Sequence, residues 1–157
     1  MAKVDVENWK ARTSAEGFKK PGVEKVIRGV DLQTMPKIVE AAFKQFGLAK
    51  VQVRAVHLDD AGPKSLERLR QDLEASEGNG RNFILGDFDR GKLSGDPEAG
   101  HWAAIAAFDA KKDRVLVLDP ERDDYEPYWV DLAAFAGAMA TQDKSVQQNR
   151  GYLIVSF

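Results

Sequence analysis

Gly100-His101-Trp102-Ala103-Ala104-Ile105-Ala106-Ala107-Phe108 leads through Asp109-Ala110-Lys111-Lys112-Asp113 into Arg114-Val115-Leu116-Val117-Leu118-Asp119. Two apolar runs joined by a short polar turn read as a β-hairpin from His101 to Phe108 and from Arg114 to Leu118. A hairpin sets the start of one strand beside the end of the next, so His101 and Asp119 are expected to be neighbours in space. An imidazole next to a carboxylate is the arrangement of a general base and the group that orients it. The spacing also fits a plainer pairing, a histidine at a strand end and an Asp before Pro120 forming a turn. Both readings stand at this point.

Outward from the hairpin the pattern continues. Asp31 is expected to cap a helix carrying Ile38, Val39, Ala42, Phe43 and Phe46 on one face, with Gly47 ending it. Residues 51–56 alternate apolar and polar as a half-buried strand does. After Gly62-Pro63, a second helix carries Leu66, Leu69, Arg70 and Leu73 to about Ser76, where Glu77-Gly78-Asn79-Gly80 breaks it. Asn82 to Phe88 reads as a short apolar strand, followed by a long loop from Asp89 to Gly100. Beyond the hairpin, Asp131 can cap a helix from Leu132 to Ala140, and residues 151–156 form a closing strand. Helices that do not alternate regularly with strands point to an α+β fold with a mainly antiparallel sheet. Residues 1–28 read as an irregular segment, with a turn at Lys19-Lys20-Pro21-Gly22 and only Trp9 and Phe18 as large apolar groups.

Composition bounds the function. The 157 residues are 43% hydrophobic and 31% charged, with a net charge of −2 and no Lys/Arg cluster. A single globular domain of this size buries roughly two thirds of its unfolded surface. The charge balance argues against a nucleic-acid or anionic-membrane partner. No stretch approaches the roughly 18 apolar residues of a membrane span, and none reads as a signal peptide, so a soluble, cytoplasmic chain is expected. There is no cysteine. Disulfides, Cys-ligated zinc and thiol catalysis by this chain's own residues are therefore excluded. The only other histidine, His57, precedes Leu58-Asp59-Asp60 and is at most a weak metal ligand.

An ordered set of residues resembles the phytochelatin synthase family. It runs Asn82-Phe83-Ile84, Asp89-Arg90-Gly91, Gly100-His101, Asp109, Asp113 to Asp119, then Arg122, Tyr125, Pro127, Trp129 and Val130, with Ala138-Met139, Thr141, Asp143 and Arg150-Gly151 beyond. The resemblance covers residues 29–157 and is most specific from 100 to 130. It implies a papain-like cysteine-protease fold, of which this chain is the antiparallel-sheet half with flanking helices. It implies that His101 is the general base and Asp119 its orienting carboxylate. By the same resemblance Arg122 helps hold the γ-glutamyl donor, Tyr125 and Trp129 line or support the cleft, with packing the expected role of Trp129, and Arg90 matches a loop arginine. The substrate it implies is glutathione or another γ-glutamyl peptide, metal–glutathione thiolates included. No cofactor is implied within the chain and no metal site.

The chain departs from that family in one decisive respect. The family's nucleophilic Cys opens a helix upstream of the His, and no residue here supplies it. Thr13 and Ser14 lie in an irregular stretch and are not expected to substitute, since a serine needs a base within reach and an oxyanion hole. Trp102-Ala103-Ala104 stands where Ser-Pro is usual, Pro120 is unusual, and Asp124 replaces a common Lys, reversing charge near the expected substrate. Three readings follow. The chain is part of a γ-glutamylcysteine transferase or glutathione peptidase whose Cys lies in an N-terminal segment or on a partner chain; a homodimer is the other partner arrangement considered. Alternatively it is a non-catalytic pseudoenzyme that binds γ-glutamyl peptides or a protein. In the third reading it is a structural module in which the His–Asp pair is scaffolding. The first predicts an exposed apolar groove; the others predict that the first thirty residues cover that surface.

Overall fold

The hairpin that sets the topology lies within a six-stranded antiparallel sheet in a computed structural model of the chain, which describes residues 29–48, 50–95 and 99–157. In chain order the elements are α1 (Met35–Gln45), β1 (Gln52–His57), α2 (Pro63–Asn79), β2 (Asn82–Asp89), α3 (Gly91–Ser94), β3 (Gly100–Asp109), β4 (Arg114–Leu118), β5 (Tyr128–Asp131), α4 (Leu132–Met139), β6 (Gln142–Asp143), β7 (Gln148–Asn149) and β8 (Gly151–Ser156). The sheet order is β1-β8-β2-β3-β4-β5, with β6 and β7 as a separate two-stranded ribbon. The architecture is α+β with every strand pair antiparallel. Residues 31–157 form one compact unit. The segment read as irregular, residues 1–28, with Thr13, Ser14 and the question of what it covers, lies outside the described residues.

Alternation along the strands sorts side chains onto two faces. On one face, Leu69 and Leu73 of α2 and Leu132, Phe135, Ala136 and Met139 of α4 pack on Val56, Ile84, Phe88, Val115, Val117, Tyr152 and Ile154. On the other, α1 brings Val39 against Leu153 and Val155, with Phe43, Phe83 and Leu85 beside them. Each large side chain so buried contributes on the order of 1.5–3 kcal/mol.

Several local expectations change. Asp31 accepts the backbone N–H groups of Gln33 and Thr34, both at 2.9 Å, and so caps a turn before α1, whose own N-cap is Thr34. Asp131 stands at the N-cap of α4, but its side chain makes no capping bond; the first N–H of that helix goes to the carbonyl of Asp113 at 2.8 Å. Helix α2 runs past Ser76 to Asn79 and stops where Gly80 takes the left-handed conformation at φ 60°, which glycine adopts without steric cost. Glu77 is thus inside the helix, where its carboxylate accepts the backbone N–H of Phe108 at 2.8 Å.

The hairpin turn is fastened from outside. Asp113 adopts φ 51°, tolerable for a short polar side chain. Its carboxylate takes a two-point contact from Arg70 of α2, at 2.8 and 2.7 Å. Strand β3 also carries one residue more than β4 opposes: the register moves from Ile105↔Val117 to Ala107↔Leu116, leaving Ala106 as a bulge.

Candidate functional site

His101 opens β3, and the residues around it fix where it points. It pairs with Phe88 of β2, and the two rings meet edge to face, with centroids 5.5 Å apart. Asp89, the last residue of β2, accepts the N–H groups of Gly91 at 3.0 Å and Ala99 at 3.1 Å. One carboxylate therefore closes the base of the loop that delivers Gly100 and His101. The long loop expected between Asp89 and Gly100 contains a single helical turn, α3, whose Leu93 packs on the core.

Asp119 follows directly on β4. Both of its carboxylate oxygens lie 2.9 Å from Nε2 of His101. The Asp119 side chain is fully buried and that of His101 is 10% exposed. The same carboxylate accepts the backbone N–H of Glu121 at 2.9 Å and the Tyr128 hydroxyl at 3.3 Å. Burial and the neighbouring Asp119 charge push the Tyr128 phenol up to about 12, so it stays a proton donor across the physiological range. A carboxylate offers only acceptor sites, which places the His101 proton on Nε2 and leaves Nδ1 with its lone pair. That tautomer makes Nδ1 available as a base.

Arg90 and Tyr125 join this end of the sheet. The Arg90 guanidinium lies 5.3 Å above the Tyr125 ring and pairs with the Glu121 carboxylate. Tyr125 in turn neighbours Tyr128, with ring centroids 6.3 Å apart. Arg122 does not join them: it is exposed and makes no hydrogen bond or ion pair among the described residues. Trp129, expected to be packed, is 42% exposed and carries the Arg114 guanidinium 4.6 Å over its ring. Its place on outer strand β5, opposite Leu116, puts it on the sheet face away from α2 and α4. His57 is separated from His101 by β8 and β2. Its Nδ1 pairs with the Asn149 carbonyl. No group of three metal-ligating side chains occurs among the described residues, and no helix there is long and apolar enough to cross a membrane.

Four residues around the site were not singled out by the hairpin argument: Asp87, Asp89, Glu121 and Tyr128. Asp89 had a legible signal, since Asp-Arg-Gly is an Asx-turn sequence. Asp87 had none. It is buried on the face opposite His101, with the buried Arg150 Nε at 3.7 Å. Burial pushes its carboxyl up to about 7, partly offset by the Arg150 charge. Arg150 is fixed by the Thr141 hydroxyl at 3.0 Å and the Gln142 carbonyl at 2.9 Å.

Comparison with known proteins adds identity to this geometry. A family model described as phytochelatin synthase matches residues 13–152, beginning earlier than the resemblance read from residue 29. A glutathione gamma-glutamylcysteinyltransferase of Lotus japonicus is 42% identical over 57 residues, 36% of this chain and 12% of the relative. One from Arabidopsis thaliana is 37% identical over 57 residues, 36% of this chain and 13% of the relative. The enzyme of that name from Schizosaccharomyces pombe is 30% identical over 91 residues, 58% of this chain and 22% of the relative. The matched stretches thus span less than a quarter of these relatives. With a family model matched over most of its length, the chain belongs to the phytochelatin synthase family.

Proposed function

We propose that this chain is the His–Asp half of a papain-like γ-glutamylcysteinyl transferase or glutathione peptidase, and that it needs a cysteine from outside these 157 residues. The observation that carries the reading is the buried Asp119 carboxylate on Nε2 of His101, which frees Nδ1 to act as a base. In that role Nδ1 takes the proton of an incoming thiol. The thiolate attacks the carbonyl carbon of the Cys–Gly bond of glutathione. The imidazolium, stabilised by Asp119, then gives its proton to the departing glycine amine. The resulting thioester is resolved by water, giving peptidase activity, or by the α-amine of a second glutathione, giving transfer.

Arg90, Arg122 and Tyr125 are the proposed substrate contacts, Arg90 and Arg122 as partners for substrate carboxylates. Metal enters this scheme as a thiolate complex of the substrate. Leu118, next to Asp119, and Trp129 are each 42% exposed on one face of the outer strands. Their exposure supports a further segment packing on this face.

The test is glycine release from glutathione. The chain alone is expected to release none. Addition of a Cys-bearing family segment is expected to restore release, and His101→Ala to abolish the restored activity. Turnover by the chain alone would overturn the scheme. The absence of cysteine favours a second reading, a non-catalytic binder of γ-glutamyl peptides. Glutathione binding without any restorable turnover would select it.

A further inference from the structure

Glu121 holds two parts of the site at once. Its backbone N–H donates to Oδ1 of Asp119 at 2.9 Å, and its carbonyl accepts the N–H groups of Asp124 at 3.0 Å and Tyr125 at 2.9 Å. The turn is therefore fixed by main-chain bonds that do not involve the Glu121 side chain. That side chain is spent elsewhere, with Oε2 on Nη1 of Arg90 at 2.5 Å. Arg90 is steadied from below by the Tyr125 ring. The guanidinium is 23% exposed and the Glu121 side chain 48%.

A guanidinium presented on an aromatic face is a carboxylate receptor, and here the chain's own carboxylate holds one of its terminal nitrogens. We infer that Glu121 is an internal competitor that sets the anion selectivity of the site: an incoming carboxylate that takes Nη1 of Arg90 must displace it. The inference rests on Arg90 being a substrate contact. The competition is winnable, because a half-exposed pair of this kind is worth at most about 1 kcal/mol. A ligand with a second anchoring point in the cleft displaces Glu121, whereas a simple monocarboxylate does so poorly.

The experiment is an NMR titration of the 157-residue chain. It follows the Arg90 side-chain Nε–H and the His101 ring signals, with sodium acetate and glutathione as separate probes. Glu121→Gln keeps the backbone bonds and removes the competing charge. It is expected to bind both probes at Arg90 roughly 2- to 5-fold more tightly than the unaltered chain, with the His101 signals unmoved in the free protein. Adding Arg90→Gln is expected to remove the gain. The control Glu126→Gln, which neutralises an exposed carboxylate on the same loop, is expected to change neither affinity. Equal acetate affinity in the unaltered and Glu121→Gln chains would overturn the inference, as would an equal gain from Glu126→Gln. Acetate competition without any glutathione binding would sustain the inference and count instead against glutathione as the substrate.

Discussion

A Cβ on Gly100 would stand 3.1 Å from Nη2 of Arg150, so the residue before His101 is packed directly against a buried guanidinium. Arg150 cannot swing away cheaply, since Thr141 and Gln142 hold its other terminal nitrogen. Gly100→Ala is therefore expected to lower stability by about 1–3 kcal/mol, as overpacking does. Thermal unfolding measures the loss. A shift of the His101 ring signals in the folded variant would show that the strain reaches the site.

Asp119→Asn tests the tautomer argument. An amide can present its NH₂ to Nε2 and move the imidazole proton to Nδ1, where a base needs a lone pair. In the Cys-complemented system, glycine release is expected to fall about 10³- to 10⁴-fold, the scale seen when a triad carboxylate becomes an amide. Glutathione affinity is expected to change little.

Tyr128→Phe removes one of three donors to Asp119 and leaves the His101 bond and the Glu121 backbone bond in place. The long 3.3 Å contact makes this a modest effect. A loss of about 0.5–1.5 kcal/mol is expected, read as a lower unfolding midpoint in urea at unchanged slope.

Asp87 predicts a pH dependence. Its carboxyl moves from an ordinary value of 3.8 to about 7 in the folded chain, chiefly through burial. The unfolded chain gives up this proton first, so stability from this group is complete below about 4 and lost as pH rises to about 7. The slope in that window approaches 1.4 kcal/mol per pH unit. Asp87→Asn is expected to flatten stability between pH 4 and pH 7, measured by denaturant unfolding. An unchanged slope would show that another group sets it.

The parts of this structure legible from sequence are those written in local pattern. Alternation gave β1, apolar runs bounded by polar turns gave β2, the hairpin and β8, and the hairpin alone set His101 beside Asp119. The signals that failed are tertiary ones. Asp31 and Asp131 both look like caps, yet one serves a turn and the other makes no capping bond, while the first N–H of its helix goes to the distant Asp113 carbonyl. Trp129 carries the composition of a core residue, but its strand is at the sheet edge, and the described helix on its face, α1, packs at the other end of the sheet, on β8. Glu121 was invisible for the same reason: its partner, Arg90, is 31 residues away. Nothing in a polar loop marks which acid will meet which base.

The unpaired Ala106 has a consequence for how this hairpin tolerates change. Side chains alternate along a strand, so orientation is a matter of odd and even counting. Phe108 and His101 share the core-side face although seven positions separate them, an odd number that regular alternation forbids. The spare residue supplies the correcting step. Delete it while the turn stays fastened by Arg70, and six positions separate Phe108 from His101, an even number, so the strand becomes regular and His101 keeps its side of the sheet. A single deletion between turn and histidine is thus absorbed by loss of the bulge, whereas a single insertion adds a second unopposed residue. The His101–Asp119 geometry is in that sense stored as arithmetic in the strand, several residues from the pair itself.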